Sequence, residues 1–255
     1  MQAGVSIITP TGGRPLAFSL CEQYLRRQTY AGRLQWIIVD DCIPSIPEIK
    51  SRPGWEISVI NPSPSWSPSD NTLARNLRAA LQEAHYDTVL IMEDDDWYAP
   101  EYIYEVFKRI HQDPAFLIVG CQESRYYHIT SGKYRVFSHM QTSSLCHTGL
   151  RYEAVNQLYN ACAEEAIHID RYFWDRFKRF HKGFLTRPLC VGIKGLPGRP
   201  GLGMGHYPED TEGWQVDDSD QSVLRSWIGN DAIKYAGFQT STLSKIEVAT
   251  RDVGR

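Results

Sequence analysis

No two of the cysteines in this chain, Cys21, Cys42, Cys121, Cys146, Cys162 and Cys190, stand in a CxxC pair. Neither a zinc knuckle nor a small disulfide framework is indicated, so a reducing, cytoplasmic setting is the expectation. Long apolar runs are missing too: none approaches the roughly 20 residues needed to cross a bilayer. The N-terminus lacks a basic region followed by an apolar stretch, so no signal peptide is expected. A GxGxxG string is absent after the first strand-like segment, which carries only Gly12-Gly13. This argues against a dinucleotide-binding oxidoreductase. Internal repeats and an interdomain linker are also lacking. One domain over residues 1–255 is therefore expected, long enough to bury a substantial core.

What is present centres on Thr88-Val-Leu-Ile-Met-Glu-Asp-Asp-Asp-Trp-Tyr98, where an uncharged run leads into four consecutive carboxylates, Glu93 to Asp96. The run reads as a buried strand, and its acids then fall at the C-terminal edge of the sheet, where open α/β folds bind ligands. Adjacent carboxylates repel one another and need a counter-charge. A hard divalent cation bound through oxygen, Mn²⁺ or Mg²⁺, meets that need and leaves positions for phosphate oxygens. An acidic surface turn is the plainer alternative. Net charge is −3 but unevenly spread: Lys/Arg against Asp/Glu runs 8 to 12 in residues 1–100, 14 to 9 in 101–200 and 5 to 9 in 201–255. A basic middle suits an anionic partner.

From the start, Val5–Thr9 reads as a strand and Pro10–Pro15 as a turn, with Pro15 as first residue of a helix whose face is Leu16, Leu20, Cys21, Tyr24 and Leu25. Leu34–Val39 is a second strand, ending on Asp40-Asp41, and Ile57–Ile60 a third. A Pro/Ser loop covers Asn61–Ser69. Asp70 or Asn71 then caps a helix with Leu73, Leu77, Leu81 and Ala84 on its inner face. After the acidic strand, Pro100 opens a helix with Ile103, Val106, Phe107 and Ile110 inward. Further on, Phe116–Val119, Tyr134–Phe137 and Ser143–Thr148 read as strands, Arg171–Phe180 as a helix, and Gln221–Tyr235 as a short final helix. The glycine-rich stretch Gly192–His206 reads as an irregular loop able to move over a ligand.

Four strings, Val5-Ser-Ile-Ile-Thr-Pro10, Trp36-Ile-Ile-Val-Asp-Asp41, Ala74-Arg-Asn76 and Glu93-Asp-Asp-Asp-Trp-Tyr98, occur in an order and spacing that resembles family 2-like glycosyltransferases. The resemblance covers about the first 110 residues. It implies an α/β GT-A glycosyltransferase fold, a Rossmann-like, mostly parallel sheet flanked by helices. Residues 1–110 would be the nucleotide-sugar half and 111–255 the acceptor half. It also implies a hexosyltransferase with a nucleotide-sugar donor, UDP-linked by expectation, and a DxD motif, Asp94-x-Asp96. Asp94 and Asp96 would hold the metal, joined by His206. Pro10, Thr11, Arg14 and Asp40 would cradle base and ribose, while Arg75, Asp94, Asp95, Lys194 and Arg199 would complete the donor site. Asp170 resembles the general base of inverting relatives, although Ile169 replaces the first acid of the usual acidic pair, and a plain helix cap is the alternative.

Residues 171–187 carry six Lys/Arg against Asp175 alone, interleaved with aromatic rings. Such a segment can hold phosphates while stacking on bases, and Trp97, Arg171, Trp174, Lys178, Arg179 and Lys182 are the acceptor-binding candidates. Helical spacing of Phe173, Phe177 and Phe180 allows some rings to be core instead. Some viral relatives of this fold glycosylate hydroxymethylated pyrimidines in DNA, which makes DNA the expected acceptor and a cell-surface glycan the alternative. Two other readings stay open: a Mg²⁺-dependent nuclease or nucleotidyltransferase, and a non-catalytic nucleotide-sugar-binding module.

Overall fold

The computed structural model describes residues 2–238 apart from 44, 45, 68, 69, 166, 202, 204, 216 and 217. In chain order the strands are β1 (Gln2–Thr11), β2 (Leu34–Asp40), β3 (Trp55–Ile60), β4 (Tyr86–Ile91), β5 (Trp97–Tyr98) and β6 (Ile118–Cys121). They continue with β7 (Glu123–His128), β8 (Lys133–Ser138), β9 (Gly149–Arg151), β10 (Lys182–Leu185) and β11 (Cys190–Lys194). The helices are α1 (Pro15–Arg26), α2 (Leu73–Glu83), α3 (Tyr102–Gln112), α4 (Val155–Glu164), α5 (Ile169–Trp174) and α6 (Ser222–Ile228).

Among the described residues the main sheet has the order β10-β6-β9-β4-β1-β2-β3. Its pairs are parallel except around β9, which runs antiparallel between β4 and β6. Both faces are covered, which explains the near-continuous apolar runs of β1, β2 and β4. Alternation sorts them: Ile7, Trp36, Ile38 and Leu90 pack with α1 and α3, while Ile8, Ile37, Val39, Val89 and Ile91 pack with α2 and α4. The parallel strands β1, β2 and β4 therefore end together, delivering Thr11, Asp40-Asp41 and Glu93–Asp96 to one edge.

A second sheet, β5-β11-β7-β8, grows from that edge. Strand β11 pairs with β5 just after the acids and carries Lys194 back to them. Glycine permits the close approach: a Cβ on Gly192 would lie 2.4 Å from the Tyr126 ring. The segment after α6 closes on α1, with the Tyr24 and Tyr235 hydroxyls 2.8 Å apart and Arg27 Nη1 2.5 Å from Asp231 Oδ2. Among the described residues no helix is long and apolar enough to cross a membrane.

Several local expectations are corrected. Residues 143–148 form no strand; a 3₁₀ turn at Leu145–His147 redirects the chain into β9 instead. The helix expected over 171–180 stops at Trp174. Three-residue turns carry the backbone to Phe177, and Lys178 is extended, because β10 must start at Lys182 to pair with β6. The glycine-rich stretch is regular at its start, since Gly192–Lys194 belongs to β11. Leu202 and Met204 of that stretch lie outside the described residues. Helix α4, with Val155, Leu158 and Ala161 buried, is an addition to the elements expected.

Candidate active site

The four acids after β4 diverge in their partners. Asp94 turns back toward β1: Thr11 Oγ1 donates to its Oδ2 at 2.7 Å, and Arg14 Nη2 lies 2.7 Å from its Oδ1. Asp95 meets Arg14 Nη1 at 3.3 Å, Lys194 Nζ at 3.5 Å and His206 Nδ1 at 3.8 Å through one oxygen. Asp96 Oδ1 is 3.7 Å from Lys194 Nζ and, though buried, makes no hydrogen bond. One carboxylate oxygen from each of Glu93, Asp95 and Asp96 lies within 4.8 Å of the others, close enough to share one ion. Asp94, one of the expected ligand pair with Asp96, stands outside that group of Glu93, Asp95 and Asp96. Three hard oxygens, beside the unsatisfied Asp96 Oδ1, suit Mn²⁺ or Mg²⁺. His206 sits against Asp95, where burial, reinforced by Lys194, pushes its pKa down to about 3 and keeps the imidazole neutral.

Charge balance governs the protons here. Burial raises Glu93 to about 8 and Asp96 to about 7, and raises Asp94 to about 6 against the pull of Arg14. Burial also opposes the charge on Asp95, but Lys194 and then Arg14 hold its carboxyl well below the ordinary range. The site thus stores protons that a cation would displace. Directly behind it, Cys190 Sγ lies 4.0 Å from Asp96 Oδ2.

The acids open into a cavity of about 880 Å³. Pro10, Arg14, Lys194, Arg199 and His206 are among its lining residues, with Tyr126, Phe137, Ile167, Asp170 and Trp214, and Lys194 Nζ lies 5.8 Å from the Tyr126 ring centroid. Asp170, at the start of α5, accepts from the Arg171 backbone N–H at 2.7 Å, and burial raises its pKa.

Asp40 and Asp41 have distinct jobs. The Asp40 carboxylate accepts the backbone N–H groups of Cys42 at 3.3 Å and Ile46 at 2.7 Å, so it shapes the loop after β2 and does not face the cavity. Asp41 is the buried hub, accepting from Thr72 Oγ1, from Asn76 Nδ2 at 2.7 Å and from Arg199 Nη1 at 2.6 Å. Arg75 reaches Pro64 O at 2.8 Å and remains 3.9 Å from Asp41.

Among the acceptor candidates, Trp97 is buried and its indole donates to Asp231 Oδ2 at 2.7 Å. Trp174 is fully buried, donating to Thr148 Oγ1 at 3.0 Å and stacking on Phe184. Lys182 is buried on Gln141 O at 3.0 Å. These three are scaffold, not cavity wall. Arg171, Lys178 and Arg179 are exposed and also lie outside the cavity lining. Sequence reasoning passed over Trp66, Asn76, Tyr126, Phe137 and Trp214, all on the wall. Only Asn76 carried a signal, through the Ala74-Arg-Asn76 string.

Residues 6–163, more than half of the chain, match the family model described as Glycosyl transferase family 2. The chain belongs to glycosyl transferase family 2. Among solved structures, this family 2 chain is similar to S. aureus TarS, at 12% identity and a TM-score of 0.48 over 74% of this chain and 36% of that one. Residues 1–349 of S. aureus TarS give 11% identity and a TM-score of 0.49 over 74% of this chain and 60% of that one. The chain thus spans less than two thirds of either. No curated protein matches it in sequence. The mixed α/β architecture, with a large, mainly parallel sheet between helices, is the GT-A fold.

Proposed function

We propose that the chain is a metal-dependent glycosyltransferase that moves a sugar from a nucleotide-sugar donor, UDP-linked by preference, to an acceptor hydroxyl with inversion. The observation that carries this reading is the Glu93/Asp95/Asp96 group at the sheet edge, opening beside Arg14 and Lys194 into the 880 Å³ cavity of a family 2 chain. A divalent ion held by those three carboxylates, with His206 adjacent, would offset the charge that builds on the departing diphosphate. Arg14 and Lys194, fixed by Asp94, Asp95 and Asp96, present cationic groups to the same oxygens. Asp170, its carboxyl raised by burial, would take the proton of the acceptor hydroxyl as that oxygen attacks the anomeric carbon opposite the diphosphate.

The cavity favours a neutral acceptor. Among the described residues its lysine and arginine lining is Arg14, Lys194 and Arg199, each already engaged by the acids Asp94, Asp95, Asp96 or Asp41. Tyr126, Phe137, Tyr207 and Trp214 share the rest with polar groups such as Asn71, Ser144, His168 and Asp170, a surface suited to the apolar face and hydroxyls of a saccharide. DNA, the acceptor expected from the basic 171–187 segment, would need its phosphates outside the cavity, on Arg171, Lys178 and Arg179. The test is a thermal-stability screen of UDP-, GDP-, ADP- and CMP-sugars with and without Mn²⁺, followed by mass spectrometry with saccharide and hydroxymethylated-DNA acceptors. Stabilisation by a nucleotide sugar only with Mn²⁺, and a saccharide product, is expected. Failure of every donor to stabilise the protein would overturn the reading; transfer only to DNA would overturn its acceptor.

A further inference from the structure

Among the described residues of the glycine-rich loop, Arg199 makes the contact with the loop after β1 and with Asp41. Arg199 Nη1 lies 2.6 Å from Asp41 Oδ1, its guanidinium carbon lies 4.8 Å from the Trp66 ring centroid, and its backbone N–H donates to Gly13 O at 3.1 Å. Glycines make the contact possible. A Cβ on Gly12 would stand 2.3 Å from Asp41 Oδ1 and 3.3 Å from Arg199 Nη1, and one on Gly198 would stand 2.6 Å from Gly13 O. As a result Arg199 and Trp66 line the cavity while Asp41, 1% exposed, is walled off behind them.

We propose that Arg199 is a built-in competitor of the donor's base. The inference rests on the nucleotide-sugar reading above. A guanidinium is a planar group that stacks on an aromatic face and donates N–H bonds in its own plane. A nucleobase has the same two properties. The place that Arg199 fills, with a Trp66 face and one carboxylate oxygen at its edge, is therefore a base subsite occupied from within. Asp41 Oδ2 is already taken by Thr72 Oγ1 and by Asn76 Nδ2 at 2.7 Å, which leaves Oδ1 as the free acceptor once Arg199 departs. One acceptor matches the single imide N–H of uracil better than the paired donors of guanine. Base and guanidinium cannot share the position, so donor binding expels Arg199 and loosens the loop around it. A conventional lid would behave oppositely, with the loop tightening on the donor.

The two behaviours differ in sign. Uridine has no phosphate, so removing a cation does not weaken it through charge. An arginine closed about nine-tenths of the time lowers apparent affinity about tenfold. Isothermal titration of uridine into metal-free protein should then give a Kd about tenfold lower for Arg199→Ala than for wild type. Arg199→Lys, which keeps charge but loses the planar stack, should fall between. Uridine should also speed proteolysis of wild type within residues 195–206. A Kd unchanged or raised in Arg199→Ala of normal Tm, or protection of the loop by uridine, would overturn the competitor. In that event Trp66→Ala separates the causes: weaker uridine binding on the Arg199→Ala background leaves the base subsite standing and removes only the competition. No uridine binding to wild type or Arg199→Ala at millimolar concentration removes the subsite and the proposal together.

Discussion

Asp170 is raised by burial with His139 and His168 as charged-group neighbours, whereas the acids after β4 are crowded by one another and by Arg14 and Lys194, and the difference suits separate tasks. Asp170→Asn removes the proposed proton acceptor but leaves Arg14, Lys194 and the acids after β4 intact, so kcat should drop about a hundredfold or more with donor KM near normal. Steady-state kinetics checks this, and an unchanged kcat removes Asp170 from the chemistry. The crowded acids have a consequence for stability. Glu93 at about 8 and Asp96 at about 7 hold protons that the unfolded chain releases near pH 4. Without metal, their contribution to stability is complete below about pH 4 and is lost as pH rises toward 8. Asp95, held low, acts in the opposite sense, gaining stability with rising pH, but only below about pH 4. Urea midpoints in EDTA should therefore fall between about pH 7 and 8.5, above the range where the depressed His206 adds stability with rising pH, and Mn²⁺, by displacing the protons, should flatten the slope. A midpoint that rises over that range in EDTA would contradict the proton-storing site. At this scale the sequence reveals residue types but not their division of labour. Asp40 and Asp41 are adjacent acids at a strand end, and which one faces a loop and which meets Arg199 depends on a backbone turn absent from any pattern. The same holds for Asp94, drawn away from the Glu93, Asp95 and Asp96 group by Thr11 and Arg14.

Elements follow their surroundings as much as their own residues. Strands β1, β2 and β4 were legible because both faces are buried, so apolar residues run without a break. Helices α1, α2 and α3 were legible from spacing. In contrast, β11 begins inside a glycine-rich stretch, and its strand character comes from pairing with β5 and β7. Helix α5 is cut short for the sake of β10, a long-range pairing that local spacing cannot express. Strand β9 gives the sharpest packing test. A Cβ on Gly149 would lie 2.3 Å from Val106 Cγ1 and 3.5 Å from Leu90 Cγ, pressing α3 away from the sheet. Gly149→Ala should cost about 1–3 kcal/mol by overpacking. Denaturant titration measures the loss, and a variant as stable as wild type would mean that α3 yields freely.

On the scale of the whole molecule, two sheets meet at one edge, and the charges of the candidate site come from both. The large sheet supplies Thr11 and the acids; the small one supplies Lys194, and the loop beyond it supplies Arg199 and His206. The first half of this arrangement was readable because its motifs lie within short, regular βα units. In the second half Lys194 and His206 were named only through the family resemblance, because one reaches the acids by strand pairing and the other through a loop, and Trp214, which joins the wall through a loop, was missed. Metal dependence of sugar transfer is where both halves must act together. The most direct measurement is release of nucleoside diphosphate from a stabilising nucleotide sugar, with acceptor, in Mn²⁺ and in excess EDTA, for wild type and Asp96→Ala. Turnover in Mn²⁺, its loss in EDTA and recovery on adding Mn²⁺ back are expected, with Asp96→Ala at least about a hundredfold slower while remaining folded. Full wild-type turnover in EDTA, or an Asp96→Ala enzyme as fast as wild type, would contradict it.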